Sequence, residues 1–227
     1  MITKYNNFIL ESKLDKYFND EITYKDLAID NYLLSTNESL TESIMSKVDS
    51  ILLKAYEWSL NIVSKGKTLL NKILKVLSAI IKFINKLCGK NKKVCALIVV
   101  FIIMITVSAT SAYAAANPTD PNLPEIANAA LGFIQGVSSD LISDGISEKS
   151  IVIAESILTE IRETGQHVDY SHISTEAQAL ANSAMSQVEN ISSENPGLFE
   201  KLVDVGSKIS TEFSRSVNGL LTTIGKR

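Results

Sequence analysis

His167 and His172 are the chain's two histidines, five residues apart in Q-H-V-D-Y-S-H with Asp169 between them. Two imidazoles and a carboxylate are donors that a zinc ion could use. On a helix, however, residues five apart lie on poorly matched faces, and the H-E-x-x-H spacing that aims two imidazoles at one metal is absent. The stretch reads as a turn joining two helices, and no metal is expected. Cys88 and Cys95 stand seven apart with no C-x-x-C, so they read as small residues on a helix surface, not as a disulfide framework. Gly132 and Gly136, in G-F-I-Q-G, are a candidate close-packing site, and Glu160 and Glu163 fall on a surface-like face. There is no P-loop, no G-x-S-x-G and no cysteine nucleophile beside a usable histidine. No catalytic residue and no cofactor is expected, and the chain does not read as an enzyme.

The strongest chemical character belongs to lysine. The net charge of −3 conceals four blocks: −4 over residues 1–50, +9 over 51–93, zero over 94–116 and −8 over 117–227. In the basic block, Lys54, Lys65, Lys72, Lys75, Lys82 and Lys86 fall within a third of a helix circumference at about 100° per residue. Apolar residues take most of the remainder: Ile51, Ala55, Trp58 and Ile62, then after Gly66 Leu69, Ile73, Val76, Ile80, Ile84 and Leu87. Such a helix suits a membrane interface, with lysines on anionic headgroups, the other face among acyl chains, and Trp58 near the boundary. One helix over residues 51–88 would be about 57 Å long at 1.5 Å per residue, too long to be a simple extension of a span. A solvated lysine face on a soluble bundle is the alternative. Nucleic acid is the weaker reading: the charge fits phosphate, but the block has no Arg and no base-stacking pattern.

The uncharged block, V-C-A-L-I-V-V-F-I-I-M-I-T-V-S-A-T-S-A-Y-A-A-A, has the length and composition of a transmembrane helix across about 30 Å of hydrocarbon. A buried core helix would need an apolar partner on every face, and no other segment is as long and apolar. Lys90, Lys92 and Lys93 precede the run and acids follow it, so the positive-inside rule puts residues 1–93 in the cytoplasm and 117–227 outside the inner membrane. Ala112-Tyr113-Ala114 gives the run the layout of a secretory signal, but its position some ninety residues into the chain favours an uncut anchor. Ser108, Ala112 and Ala116 could also let two such helices approach closely.

These elements are positioned by an all-α chain. Residues 12–50 read as an acidic region of short helices, ending in a capping box of Ser39 and Glu42 that starts the next helix. Residues 51–93 are the basic amphipathic helix and 94–116 the apolar one. Residues 117–125 contain three prolines and read as a linker. Residues 126–227 read as a helical hairpin or bundle, with helices near 125–137, 147–163 and 174–193. A last helix starts at Asn195-Pro196, with a stripe from Leu198 through Ile209 and Phe213 to Ile224. Such stripes pack on each other or on a second subunit.

The first residues remain. In M-I-T-K-Y-N-N-F-I-L-E-S, Tyr5, Phe8 and Ile9 are spaced for one face of a helix. The same stretch, Y-N-N-F-I-L-E after a short basic start with Lys4, resembles the capsid-targeting peptide of internal head proteins of T-even-type tailed phages. That pattern is Y-x-x-F-I-x-E, and Tyr5, Phe8, Ile9 and Glu11 match it. The resemblance spans residues 1–11. It implies docking to a prohead scaffold and cleavage by a maturation protease after Ile9-Leu10-Glu11, leaving Ser12 as the new terminus. Two functions follow. One is a head-packaged, protease-trimmed protein delivered to the host inner membrane. The other is an unpackaged single-span inner-membrane effector, holin-like or excluding superinfection.

Overall fold

The computed structural model describes residues 2–34, 42–87, 92–141, 145–164, 169–194, 204, 206–211 and 213–215. Among them nine helices follow in order: α1 (Ile2–Phe18), α2 (Tyr24–Leu27), α3 (Ile29–Leu34), α4 (Glu42–Ser59), α5 (Ile62–Leu87), α6 (Lys92–Ala116), α7 (Leu123–Leu141), α8 (Gly145–Thr164) and α9 (Tyr170–Glu194). Residues 206–211 and 213–215 are also helical, and no strand occurs among the described residues. The architecture is all-α, as the periodicities indicate.

The expected single helix across 51–93 is two helices. Ser59 Oγ donates to Tyr56 O at 2.6 Å, Asn61 Nδ2 to Glu57 O at 3.3 Å and Ser64 Oγ to Asn61 O at 3.0 Å. These side chains compete with the backbone ladder and bring about the turn at Leu60 and Asn61. A second break follows at Gly66, with φ 65° and ψ −156° inside α5, a conformation open essentially to glycine alone. The 57 Å rod is therefore replaced by a bent pair.

α6 occupies the middle. Every residue from Val94 to Ala115 is buried, and α6 touches α4, α5, α7, α8 and α9. The expectation that nothing else in the chain could cover this run does not hold. The helices that pack against it carry buried amphipathic stripes: Leu69, Ile73, Val76 and Ile80 on α5; Ile126, Ala130 and Ile134 on α7; Ala154, Ile157 and Ile161 on α8; Ala177, Leu180 and Ala184 on α9. Each stripe repeats every three to four residues and leaves a polar face outward. No one of them needs to be as apolar as α6, because each covers only part of its circumference.

The expected linker is a set of turns over 117–122, with Pro124 in the first turn of α7, where a missing N–H costs nothing. Asp120 Oδ1 accepts from Asn122 N at 2.9 Å, and Asp120 Oδ2 accepts from Tyr113 Oη. The hydrogen bonds from Tyr113 and then the Asn122 backbone hold the Asp120 carboxyl below its ordinary range. Gly132 and Gly136 face open space on α7, so the close-packing expected of them is not found. Cys95 is buried and disulfide-bonded, against the expectation of a free cysteine. The sequence has one other cysteine, Cys88, outside the described residues, as is the Ser39 of the expected capping box. A capping box does occur at Thr23 and Asp26, starting α2.

Candidate membrane-interaction site

The two threonines of α6 require nothing polar from their surroundings. Thr106 Oγ1 donates to Ile102 O and Thr110 Oγ1 to Thr106 O, both at 2.9 Å. With those hydroxyls bonded back to the helix's own carbonyls, the backbone and threonine groups carry their partners with them into any apolar medium. At 25 residues α6 is about 37 Å long, enough to cross about 30 Å of hydrocarbon. It is the one helix among the described residues that is long and apolar enough to span a membrane. In the bundle, α4 and α5 on one side of the sequence and α7 to α9 on the other, the parts expected on opposite sides of a bilayer, pack against this same helix.

The lysine face lies on α4 and α5, and much of it is occupied. Lys54 pairs with Asp15 at 3.2 Å and Glu57 at 3.0 Å. Lys65 Nζ donates to Asn19 Oδ1 at 2.6 Å and sits 4.7 Å over the Trp58 ring. Lys72 Nζ donates to Tyr17 O at 2.8 Å, pairs with Asp20, and stands 5.2 Å over the Tyr17 ring. Lys75 lies 4.4 Å over the ring of Tyr24. Cation–ring contacts of this kind contribute about 0.5–1 kcal/mol each when exposed. Lys82 is exposed, the side chain of Lys86 lies outside those described, and so does Lys90; Lys92 and Lys93 are exposed at the start of α6.

Trp58 is partly buried rather than free for an interface: its Nε1 donates to Asp15 Oδ1 at 2.8 Å, and its ring packs 5.4 Å from Phe18. Burial, then the charge and hydrogen bond of Asp30, push the Tyr24 hydroxyl up to about 12. The sequence reading did not single out Asp15, Tyr17, Asn19, Asp20 and Tyr24. The signal for them was the −4 of the first block set against the +9 of the second.

The N-terminal stretch is the beginning of α1. Leu10, Leu14, Tyr17 and Phe18 form its buried stripe. Phe8 is 68 % exposed and Ile9 38 %, so these two do not form the packing face that their spacing allowed. The side chain of Tyr5 lies outside those described, and Glu11 is half-buried. A cleft of about 360 Å³ opens beside Ile9, Leu10, Lys13, Asn31, Tyr32 and Lys47.

At the other end of the chain, His172 sits in the first turn of α9 with its Nδ1 2.6 Å from Glu160 Oε2 of α8. Its Nε2 is 3.9 Å from Glu176. Glu160, expected on an open surface, is the more enclosed partner of that pair. His167 lies outside the described residues. α8 ends at Thr164 and α9 begins at Tyr170, and the turn expected between them falls on residues 165–168, outside the described residues. Comparison with protein-family models, curated proteins and solved structures gives no match.

Proposed function

We propose that this chain is a membrane-active protein with a closed and an inserted state, carried inside a tailed-phage head and released to the host inner membrane. The observation that carries the membrane half is α6: an uncharged helix of spanning length held inside a shell of amphipathic helices. In water the shell removes its apolar surface from solvent. At a bilayer, lipid takes over that role, and the amphipathic helices exchange packing on α6 for packing on acyl chains at the interface. Lys90, Lys92 and Lys93 then keep the N-terminal side cytoplasmic while the acidic α7 to α9 region faces the periplasm.

The packaging half rests on residues 1–11. Exposure of Phe8 and Ile9 leaves two residues of the Y-x-x-F-I-x-E resemblance open to a scaffold partner. Trimming after Glu11 would follow in the prohead. The unpackaged inner-membrane effector is favoured by a different observation: Leu10, inside the cleavage triplet, is 2 % exposed and helical, which shields it from a protease that needs extended chain.

Two experiments test the two halves. Protease treatment of the full chain on vesicles should leave a protected fragment containing residues 94–116. Complete digestion of that segment in the presence of membrane would defeat the spanning reading. Peptide mapping of purified particles should find a chain beginning at Ser12, and its absence from particles would leave the effector reading.

A further inference from the structure

Lysines expected to hold headgroups are already held, and by acceptors of a particular kind. Asp15, Asp20, the Asn19 amide oxygen and the Tyr17 carbonyl present oxygens to Lys54, Lys65 and Lys72. They do so from one contiguous segment, the second half of α1 and the turn after it. Clustered oxygens carrying net negative charge and set against several ammonium groups are the chemistry of a phosphate-bearing surface. Residues 12–34 carry five acids against three lysines, so the segment is itself anionic.

We infer that residues 12–34 are an intramolecular stand-in for anionic lipid headgroups, occupying the lysine face of α4 and α5 until a bilayer displaces them. The inference rests on the membrane reading above and supplies its regulation: the face is closed in water and opens only where many phosphates compete together. A lipid surface fits better than nucleic acid because of what adjoins the lysines. Leu60 and Val63 are 44 % and 47 % exposed at the α4–α5 turn, beside the Lys65–Trp58 contact. Apolar side chains projecting next to lysines and a tryptophan match the boundary between headgroups and acyl chains. A polyanion in water gives those apolar groups nothing to enter.

The test uses the full chain with phosphatidylcholine vesicles, with and without phosphatidylglycerol, and reads two quantities. The first is binding by flotation. Asp15→Asn with Asp20→Asn should tighten binding to the anionic vesicles by about tenfold, since Lys54 and Lys72 each lose a carboxylate partner, although Lys54 keeps Glu57 and Lys72 keeps the Tyr17 carbonyl. Lys54→Gln with Lys72→Gln should weaken it by a similar factor. The second is a zero-length carbodiimide cross-link between Asp20 and Lys72, followed by mass spectrometry in the unmodified chain. Its yield should fall when anionic vesicles are added and stay level with neutral vesicles or with inorganic phosphate. Chain cross-linked beforehand should bind several-fold more weakly.

An unchanged cross-link yield on anionic vesicles would overturn the inference, as would equal binding by a carboxamide variant whose helical circular dichroism matches the wild type. Equal displacement by inorganic phosphate, or by duplex DNA, would also overturn it, assigning the face to small anions or to nucleic acid. Protection of residues 94–116 from protease is scored separately. Displacement without protection keeps this inference and defeats the spanning reading, and protection without displacement does the reverse.

Discussion

The ring of Phe101, at the centre of α6, lies where a side chain on Gly206 would have to go. A Cβ at that glycine would stand 2.8 and 2.9 Å from Phe101 Cε1 and Cε2, and closer still to Cζ. Both residues are buried, so the glycine lets the C-terminal helical turns settle onto α6. Ile209 and Phe213 of the same turns are also buried, and Ser210 Oγ donates to Ala181 O of α9 at 3.5 Å.

Gly206→Ala should therefore destabilise the bundle by about 1–3 kcal/mol, the usual range for overpacking a filled core. Chemical denaturation measures it. Adding Phe101→Leu, which shortens the obstructing side chain, should recover part of the loss. An alanine variant as stable as the parent would mean that the C-terminal turns are not seated on Phe101.

This contact was invisible in the sequence, and the reason is general to this fold. The run at 94–116 could be read at once, because an uncharged stretch of that length is a property of the segment alone. The stripes on α5, α7, α8 and α9 were equally legible as stripes, and the observed α7 to α9 extend the expected ranges by one to four residues at each end. What a stripe does not encode is its partner. Ile157 and Leu180 carry the same periodic signal whether they face each other, a second subunit or α6. The break at Leu60 and Asn61 had a signal that periodicity overrode, the Ser59, Asn61 and Ser64 side chains that bond back to the chain. The lysine spacing was legible, but the groups that hold Lys65 and Lys72 lie 46 and 55 residues upstream, beyond any local pattern.

The His172–Glu160 contact makes the α8–α9 corner sensitive to pH. The hydrogen bond to Glu160, and then that residue's charge, raise the His172 pKa above its ordinary 6.5. A raised imidazole stabilises the fold fully below 6.5, and the contribution is lost as pH rises through the higher folded value. Asp26 and Asp120 act with the opposite sign: held below their ordinary 3.8, they stabilise above that value and lose their contribution as pH falls through their folded pKa. Hydrogen exchange at the start of α9 should accelerate as pH rises past the His172 transition, after correction for intrinsic exchange. In His172→Gln the step should vanish. A step of equal size in that variant would assign it to another group.

Glutamate-specific cleavage at Glu11 should be limited by unwinding of α1. Leu10 is buried in the helix that contains the triplet, and a protease binds its substrate extended. Leu10→Ala keeps Ile9 and Glu11 of the cleavage triplet while removing the anchor, a change that costs about 2–5 kcal/mol in a filled site. Limited digestion with a glutamate-specific endoprotease should then release the N-terminal peptide at least tenfold faster. Glu11→Ala should leave this bond uncut in both backgrounds. Equal rates for Leu10→Ala and the parent would show that burial of Leu10 does not guard the site.

Ser150 and Val152 on α8 separate the closed from the open arrangement. Ser150 is fully buried, and Val152, two residues on, is 64 % exposed. Single cysteines at these positions, in a chain with Cys88 and Cys95 replaced by alanine, should respond differently to a membrane-impermeant maleimide. In solution Val152→Cys should label fast and Ser150→Cys at least tenfold more slowly, because the bundle must open before the thiol is reached. On insertion of residues 94–116, α8 loses α6 as its packing partner, so the Ser150→Cys rate should rise toward that of Val152→Cys. In spheroplasts, both positions should label from outside if residues 117–227 are periplasmic. Slow labelling of both in intact spheroplasts, with fast labelling after lysis, would reverse the topology. Persistent protection of Ser150→Cys alone, beside a reactive Val152→Cys, would mean that the shell stays closed around α6 at the membrane.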